Sequence, residues 1–227
     1  MITLYHCVAA RSFRPLWALE ELGLPYELKM LPFPPRVQDR GYLEVNPLGT
    51  VPAFFDGEVR MTESAAICHY LGAKYGQCGG DGELVVAPGE HAFGAFLNWL
   101  HFGEATLTFP QTLVLRYERF EPPERRQPQV ASAYRRWFLG RLRTLEPVLD
   151  RSAGICAGRF TMADISVGYA LLLAEYLDMA PEFAPAVADY LAQLKARPAL
   201  QRARQAELAA ALAQGVSPVP SPLAVPE

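Results

Sequence analysis

Two segments within residues 46–69 carry the residue types that could hold a small ligand. In the first, Pro52 follows Val51 at the start of an apolar run, and proline cannot donate a hydrogen bond to a β-ladder. This position indicates either a sheet edge or a cis X-Pro turn that exposes the Val51 main chain, which could then pair with an extended peptide. In the second segment, Glu63 and Ser64 open an apolar helical pattern.

The elements that must position these segments begin with a strand, a helix and a second strand. Residues 2–5 are predicted to form a short buried strand. Ser12 then precedes a helical spacing of apolar residues that Gly23 closes, so Ser12 is predicted to be the N-cap of the first helix. Residues 26–31 supply the second strand.

A hairpin and a helix complete this part of the chain. Asp56-Gly57 lies between two apolar runs, residues 51–55 and 59–61, and this pattern predicts two strands joined by a turn. A strand-helix-strand unit followed by a hairpin and a helix predicts a small α/β sandwich with a mixed sheet.

The remainder of the chain shows helical periodicity. Apolar residues mark one long helix that begins near residue 93 and is bent or ended near Pro110, and a second helix over residues 134–149. Further on, Thr161 and Asp164 form a short-armed capping box in front of an almost uncharged helix. This setting favours a structural role for Asp164 over a catalytic one.

These patterns predict the domain organisation. We expect an α/β domain over residues 1–78, a linker over 79–87, an all-helical domain over 88–215, and a disordered Pro-rich tail over 216–227.

Composition and charge narrow the classes of function. The chain has 227 residues, of which 51% are hydrophobic, and can therefore bury a core as one large domain or two small ones. A net charge of -3 without a long basic run argues against nucleic acid as a partner. The 4 cysteines form no C-x-x-C pair and show no metal-ligand spacing with the 4 histidines, so we expect no metal site and a reduced, cytoplasmic setting. Neither a secretory leader nor a membrane-spanning segment is evident.

The chain resembles the bacterial members of the cytosolic glutathione S-transferase family. The resemblance rests on Leu4-Tyr5, Ser12-Phe13-Arg14, residues 20–27, residues 46–54, residues 63–67, and the box at residues 161–164. It implies the glutathione transferase fold, in which a thioredoxin-like N-terminal domain precedes an all-α C-terminal domain. It also implies a homodimer that binds glutathione as co-substrate at the domain junction.

The resemblance assigns contacts to most of the tripeptide. Val51, exposed by Pro52, matches the position whose main chain pairs with the cysteinyl part, which is a form of strand addition. Glu63 and Ser64 match the pair that grips the γ-glutamyl end. Amides at the helix N-terminus and the Ser64 hydroxyl would bind the carboxylate, and Glu63 would bind the ammonium. The alternative is that Glu63 or Ser64 is an ordinary helix cap.

The remaining ligand contacts are implied by position alone. Arg36 and Gln38 lie where relatives often place donors to the glycine carboxylate. His101, Phe102 and Thr108 lie in the helical half, where the family binds its electrophile, and they are the candidate lining of that pocket. Because an aromatic stripe at helical spacing also suits a protein core, His101 could equally be a solvated or a core histidine.

The chemistry requires a thiolate, because a free cysteine thiol has a pKa of about 8.5 and is mostly protonated at neutral pH. The loop after the first strand offers a helix N-terminus and the hydroxyl of Ser12, which is predicted to contact glutathione and to be the catalytic residue. Some classes carry a serine or cysteine where this chain has Ala9, Ala10 and Arg11, so Arg11 or a main-chain amide could stabilise the thiolate instead. Ser12 could also serve only as a cap, and Cys7 is expected to be a buried strand-end residue.

The leading functional hypothesis is a detoxifying enzyme that transfers the glutathione thiolate to a small apolar electrophile. The alanines at positions 9 and 10 support a second hypothesis, a glutathione-binding or interaction module of the same fold without useful catalysis. Glutathione-dependent isomerases and dehalogenases occur among relatives as well. The absence of a cysteine from residues 9–12 argues against a disulfide reductase.

Overall fold

A mixed sheet of 4 strands, in the order β2-β1-β3-β4, forms the centre of the first part of the chain. The computed structural model describes residues 1–76, 84–149 and 154–220. β1 pairs in parallel with β2 and antiparallel with β3, and β3 pairs antiparallel with β4. The strands are β1 (Ile2–His6), β2 (Tyr26–Met30), β3 (Ala53–Asp56) and β4 (Val59–Met61). The predicted mixed sheet and its thioredoxin-like order of elements are confirmed.

The hairpin differs from its prediction by one residue at the turn. Asp56 pairs with Val59, so the turn consists of Gly57 and Glu58, and Gly57 has a φ of 60°. Glycine at the first central position suits a two-residue hairpin turn of type II′, because that position needs a positive φ. β3 begins at Ala53, beyond the proline.

Helix α1 (Phe13–Leu22) ends as predicted, whereas its N-terminus differs. Gly23 adopts the left-handed conformation, with φ 61°, that commonly terminates a helix. Ser12 occupies the N-cap position, but its own backbone is helical and its side chain makes no capping hydrogen bond. The predicted capping role of the Ser12 side chain is therefore wrong. An effective N-cap has an extended backbone, which lets the side chain reach the amides of the first turn.

The other helices of the first part of the chain are short except for the last. They are α2 (Pro35–Gln38), α3 (Tyr42–Val45) and α4 (Ser64–Tyr75). In the second part, the elements are α5 (Phe93–His101), α6 (Phe109–Leu115), α7 (Pro128–Leu142), α8 (Glu146–Leu149), α9 (Met162–Tyr176), α10 (Pro185–Ala196) and α11 (Pro198–Ala213).

The predicted long helix near Pro110 contains wider turns. π-helical segments at Phe102–Thr108 and Arg116–Phe120 flank α6. Pro110 lies in the first turn of α6 and has no N–H. A carbonyl of the preceding turn therefore lacks the main-chain donor that another residue would supply. The hydroxyl of Thr108 donates to the carbonyl of Gly103 at 2.7 Å and satisfies one acceptor of the π segment.

The described chain divides into two units. Unit 1 comprises the described residues of Met1–Glu83 and of Ala196–Pro222, and unit 2 comprises those of Leu84–Lys195. Within unit 1, α11 packs on α1 and β2. The predicted helical domain, residues 88–215, includes α11, and the predicted boundaries remain a prediction. Most of the predicted linker and residues 221–227 of the predicted tail lie outside the described residues.

Each unit has its own buried core. In unit 1, α1 packs on α4 and α11 and buries Leu16 and Trp17, and Leu4 and Phe54 of the sheet are also fully buried. In unit 2, α9 is buried along nearly its whole length. The predicted capping box of α9 is confirmed, since Thr161 and Asp164 bond reciprocally at its first turn.

A carboxylate fastens the hairpin to α4. Asp56 Oδ2 accepts hydrogen bonds from Tyr70 Oη at 2.8 Å, Lys74 Nζ at 2.7 Å and Tyr75 Oη at 2.6 Å. Burial by itself would raise the pKa of Asp56, but the bonds from Lys74, Tyr75 and Tyr70 outweigh burial and lower the pKa to about 2. The negative form of Asp56 is thus the form that the folded protein stabilises.

This arrangement predicts a pH-dependent contribution to stability. Because the folded-state pKa lies below the unfolded value of about 3.9, the contribution is complete above about pH 4 and is lost as the pH falls toward about 2. Because the Lys74 side chain is nearly half exposed and water screens its charge, the size of this contribution is about 1 kcal/mol. Urea unfolding of wild type and Asp56→Asn should therefore show a stability gap near neutral pH that closes in acid. If the difference in stability between wild type and Asp56→Asn stays constant from neutral pH to about pH 2, the lowered pKa of Asp56 does not contribute to stability.

Candidate functional site

The Val51-Pro52 segment forms the turn that leads into β3. The Val51-Pro52 peptide is cis, as one of the two sequence-based alternatives predicted. The other alternative, a sheet edge, is wrong because β3 lies between β1 and β4. Val51 is half-buried, and its main chain hydrogen bonds to no residue in the described parts of the chain. The segment thus retains the main-chain groups needed to pair with an extended ligand.

Two side chains that sequence reasoning did not assign hold this segment in place. Tyr42 Oη and Asn46 Nδ2 both donate to the carbonyl of Thr50, at 2.7 and 2.8 Å. Asn46 is buried, and its own carbonyl accepts from the amide of Gly49. Gly49 has a φ of 62°, so the residue order Asn-Pro-Leu-Gly was the available signal for a fixed turn.

The N-terminus of α4 brings Glu63 and Ser64 to the same part of unit 1. Glu63 occupies the N-cap position in extended conformation, its side chain is exposed, and it makes no capping hydrogen bond. Ser64 is the first helical residue and is buried. Neither side chain therefore acts as an ordinary cap.

A buried arginine that the sequence reasoning left without a role contacts this helix end. Arg14, on α1, is fully buried, and its Nη1 donates to Ser64 Oγ at 3.2 Å. A guanidinium cation next to the amides of a helix N-terminus creates a positive potential that favours a bound carboxylate. The available signal was a charged residue among apolar neighbours such as Phe13 and Trp17.

The loop after β1 contains the residues predicted to lie near the thiolate. Ser12 is fully buried, and its Oγ lies 2.6 Å from Nδ1 of His6. Arg11 is half-buried, and Ala9 has a φ of 56°. Cys7 is buried, as expected, and burial raises the pKa of its thiol to about 12. Cys7 is therefore a neutral thiol at physiological pH.

The three segments converge at one end of the sheet. Tyr5 of β1 pairs with Ala53, so the loop after β1 and the Val51 turn are adjacent. Ala10 and Val51 pack against the same apolar cluster as Cys7. The bond from Arg14 to Ser64 joins α1, which follows the loop, to the N-terminus of α4.

The structure places the remaining predicted residues as follows. Arg36 and Gln38 are exposed on α2, and Arg36 lies against the Gly49 turn, since a Cβ added at Gly49 would be 2.6 Å from Arg36 Cβ. Within the described residues, no group of side chains has the composition of a metal site, and no helix is long and apolar enough to cross a membrane.

The three electrophile-pocket candidates lie in unit 2 and differ in accessibility. His101 is exposed at the end of α5, and Phe102 is half-buried with its ring edge-to-face on Trp99, at 5.1 Å between centroids. Thr108 is fully buried, and its hydroxyl donates to the carbonyl of Gly103. A ligand can therefore reach His101 and Phe102 more readily than Thr108.

Comparison with known proteins points to one family. The family model described as "Glutathione S-transferase, N-terminal domain" matches residues 10–74. "Glutathione S-transferase-like protein OpS6" of Beauveria bassiana is 32% identical over 196 residues, covering 81% of this chain and 85% of that protein. "Glutathione S-transferase 3" of Schizosaccharomyces pombe is 41% identical over 110 residues, and the match spans 47% of this chain and only 43% of that protein.

A solved structure extends the similarity across both units. The glutathione transferase URE2P6 of Phanerochaete chrysosporium, crystallised in complex with oxidized glutathione, is 29% identical, with a TM-score of 0.77 over 90% of this chain and 94% of that one. The bacterial origin suggested by the sequence remains a prediction. The match to the Beauveria protein over most of both chains shows that this chain belongs to the glutathione S-transferase family.

Proposed function

We propose that the protein binds glutathione in unit 1 and transfers its thiolate to a small, largely apolar electrophile. The observation that carries this proposal is the convergence of the Val51 turn, the Ser64 end of α4 and the loop after β1 at one end of the sheet. The similarity to named glutathione transferases, one of them crystallised with oxidized glutathione, supports the choice of ligand.

Each part of the proposed site matches one part of an extended, zwitterionic tripeptide. The main chain of Val51 pairs with the cysteinyl unit in the manner of an added strand. Ser64, the first amides of α4 and the positive charge of Arg14 bind the γ-glutamyl carboxylate, and the exposed Glu63 carboxylate binds the ammonium. Arg36, beside the Gly49 turn, is the better placed of the two proposed partners of the glycine carboxylate, and Gln38 is the other.

The sulfur is proposed to lie at the loop of residues 9–12. Thiolate formation needs hydrogen-bond donors and positive potential, and this loop leads directly into the N-terminus of α1. His101 and Phe102 are proposed to contact the apolar co-substrate. We further propose a homodimer in a reduced cytoplasm with a role in detoxification.

Calorimetry with reduced glutathione and turnover with an aryl halide test the function. We expect binding at millimolar glutathione or below and formation of the thioether conjugate. Binding without turnover on a panel of electrophiles would favour the second candidate, a glutathione-binding module, which the burial of Ser12 and the alanines at positions 9 and 10 also suit. No binding at all would exclude both.

The γ-glutamyl contact gives a specific prediction. Ser64→Ala removes a hydroxyl from the proposed carboxylate site, so the Kd for glutathione should rise about tenfold, the size expected for one hydrogen bond to a charged group. Ser132→Ala is a matched control, because Ser132 also accepts from an arginine, Arg136, but lies on α7 in unit 2. An unchanged Kd in Ser64→Ala would remove Ser64 from the site.

A further inference from the structure

A chain of hydrogen bonds runs from α11 to the loop after β1. Glu207 Oε1 lies 2.7 Å from His6 Nε2, and His6 Nδ1 lies 2.6 Å from Ser12 Oγ. The same Glu207 oxygen accepts from the main-chain amide of Ala9 at 2.8 Å. His6 and Ser12 are fully buried, and all of these residues belong to unit 1. We call Glu207, His6 and Ser12 the relay.

The chemistry of the end groups fixes the direction of the bond between Glu207 and His6. A carboxylate only accepts, so the proton between them belongs to Nε2 of the imidazole. In the neutral form of this imidazole Nδ1 is an acceptor, and the hydroxyl of Ser12 donates to it. With the ring in this form, the only hydroxyl proton of Ser12 is committed to His6 and is not directed at a ligand.

The relay differs from a nucleophilic triad in two respects. In the serine hydrolase arrangement the hydroxyl faces Nε2 and the carboxylate faces Nδ1, whereas here the two ring nitrogens are exchanged. A nucleophile must also meet its substrate, and Ser12 has 0% exposure. These facts favour positioning over covalent catalysis.

The relay instead fastens both ends of the segment that carries the proposed sulfur site. Glu207 holds the amide of Ala9, a non-glycine residue in the left-handed region, where an L-residue costs about 1–2 kcal/mol. At the other end, His6 holds Ser12. Between them, Ala9, Ala10 and Arg11 are each partly exposed. The groups that can reach a ligand therefore lie between two anchored points.

We propose that His6, Ser12 and Glu207 are positioning residues for the thiolate site. The relay fixes the main chain of residues 9–11, and that segment, through its main chain or Arg11, presents the donors that stabilise the glutathione sulfur. The Ser12 hydroxyl is not itself the donor. This inference rests on the proposed glutathione chemistry.

The decisive experiment measures the pKa of bound glutathione from the ultraviolet absorbance of its thiolate in Glu207 variants. In Glu207→Ala, the segment loses one anchor, so the thiol pKa should rise by about one unit and kcat should fall about tenfold, with a smaller change in KM for glutathione. Glu207→Gln should stay within about twofold of wild type, because its amide oxygen still accepts from Ala9 and His6.

Arg202→Ala provides the matched control on the same helix. Arg202 fastens α11 to α1 through Glu20, with its Nε 3.0 Å from Glu20 Oε2, and does not take part in the relay. Its replacement should lower stability without changing the thiol pKa. If Glu207→Ala does not fold, Glu207→Asp retains the charge but withdraws the carboxylate from both partners, and the thiol pKa should again rise.

Combining variants separates positioning from direct donation. Ser12→Ala and Glu207→Ala break the same relay, so the double variant should be no slower than the slower single variant. If the Ser12 hydroxyl bonds the sulfur directly, Glu207→Ala will leave the thiol pKa unchanged and only Ser12→Ala will raise it, which overturns the inference. Failure of wild type to bind glutathione would instead contradict the proposed function.

Discussion

Replacing Asp164 with alanine is expected to lower the free energy of unfolding by about 4 kcal/mol. The carboxylate is fully buried and accepts from Ile155 N at 2.9 Å, Tyr190 Oη at 2.7 Å and Thr161 N at 2.7 Å, with Thr161 Oγ1 at 3.0 Å. Alanine leaves these donors without their acceptor in a site closed to solvent, and each such loss costs about 1–3 kcal/mol.

Burial raises the pKa of Asp164, while the bonds from Tyr190, Ile155 and Thr161 act in the opposite direction. The hydrogen bonds to Asp164, rather than its negative charge, are therefore the main contribution of this side chain to the stability of the fold. Denaturant unfolding monitored by circular dichroism measures the effect. Asp189→Ala, on the exposed face of α10 next to Tyr190, is the control and should change stability by less than about 0.5 kcal/mol. Equal effects of the two substitutions would refute the structural assignment of Asp164.

A second large effect is expected at Gly103, where a π-helical segment crosses α9. A Cβ at this position would lie 2.5 Å from the carbonyl carbon of Ser166 and 2.6 Å from its oxygen. Ser166 Oγ would also lie 2.6 Å away, but because two of the three clashing atoms are backbone, side-chain rotation cannot relieve the contact. Gly103→Ala should therefore destabilise the protein by about 3 kcal/mol.

Gly140 offers an opposite expectation in another helix of the same unit. It lies within α7 with nothing within 4 Å of an added Cβ, so Gly140→Ala should stabilise the protein by up to about 1 kcal/mol through helix propensity. The pair of variants, compared by thermal or chemical unfolding, isolates the effect of close approach from that of propensity. A Gly103→Ala variant as stable as wild type would mean that the two segments do not cross at this distance.

Local patterns predicted the local elements well. The two apolar runs around Asp56-Gly57, the glycine after α1 and the Thr161 to Asp164 spacing each involve residues a few positions apart, and each element is present in the structure. The prediction that Pro52 marks a strand at the edge of the sheet was wrong, and the reason lies in the position of the proline itself. Proline avoids ladder positions, and Pro52 does so by preceding β3 rather than by lying on an outer strand.

The parts that the sequence did not predict depend on contacts between distant residues. Ser12 has the residue type of an N-cap, but a histidine six positions earlier takes its hydroxyl, and the carboxylate that orients this histidine lies 201 positions further along. Arg14 and Ser64 are 50 positions apart. No propensity or spacing rule reports such pairs, so the sequence could suggest residues for the proposed binding site but not the distant residues that hold them in place.

The grouping of α11 with the sheet also bears on how the protein is synthesised. Besides Glu207, two more residues on α11 or next to it bind the first part of the chain. Arg197 pairs with Glu21, and Gln214 accepts from the amide of Met30. A nascent chain that has emerged only as far as α4 lacks all of these partners, and the imidazole of His6 has no carboxylate to bind. We therefore expect the N-terminal third of the chain, up to the end of α4, to reach its native state only after nearly the entire polypeptide has left the ribosome.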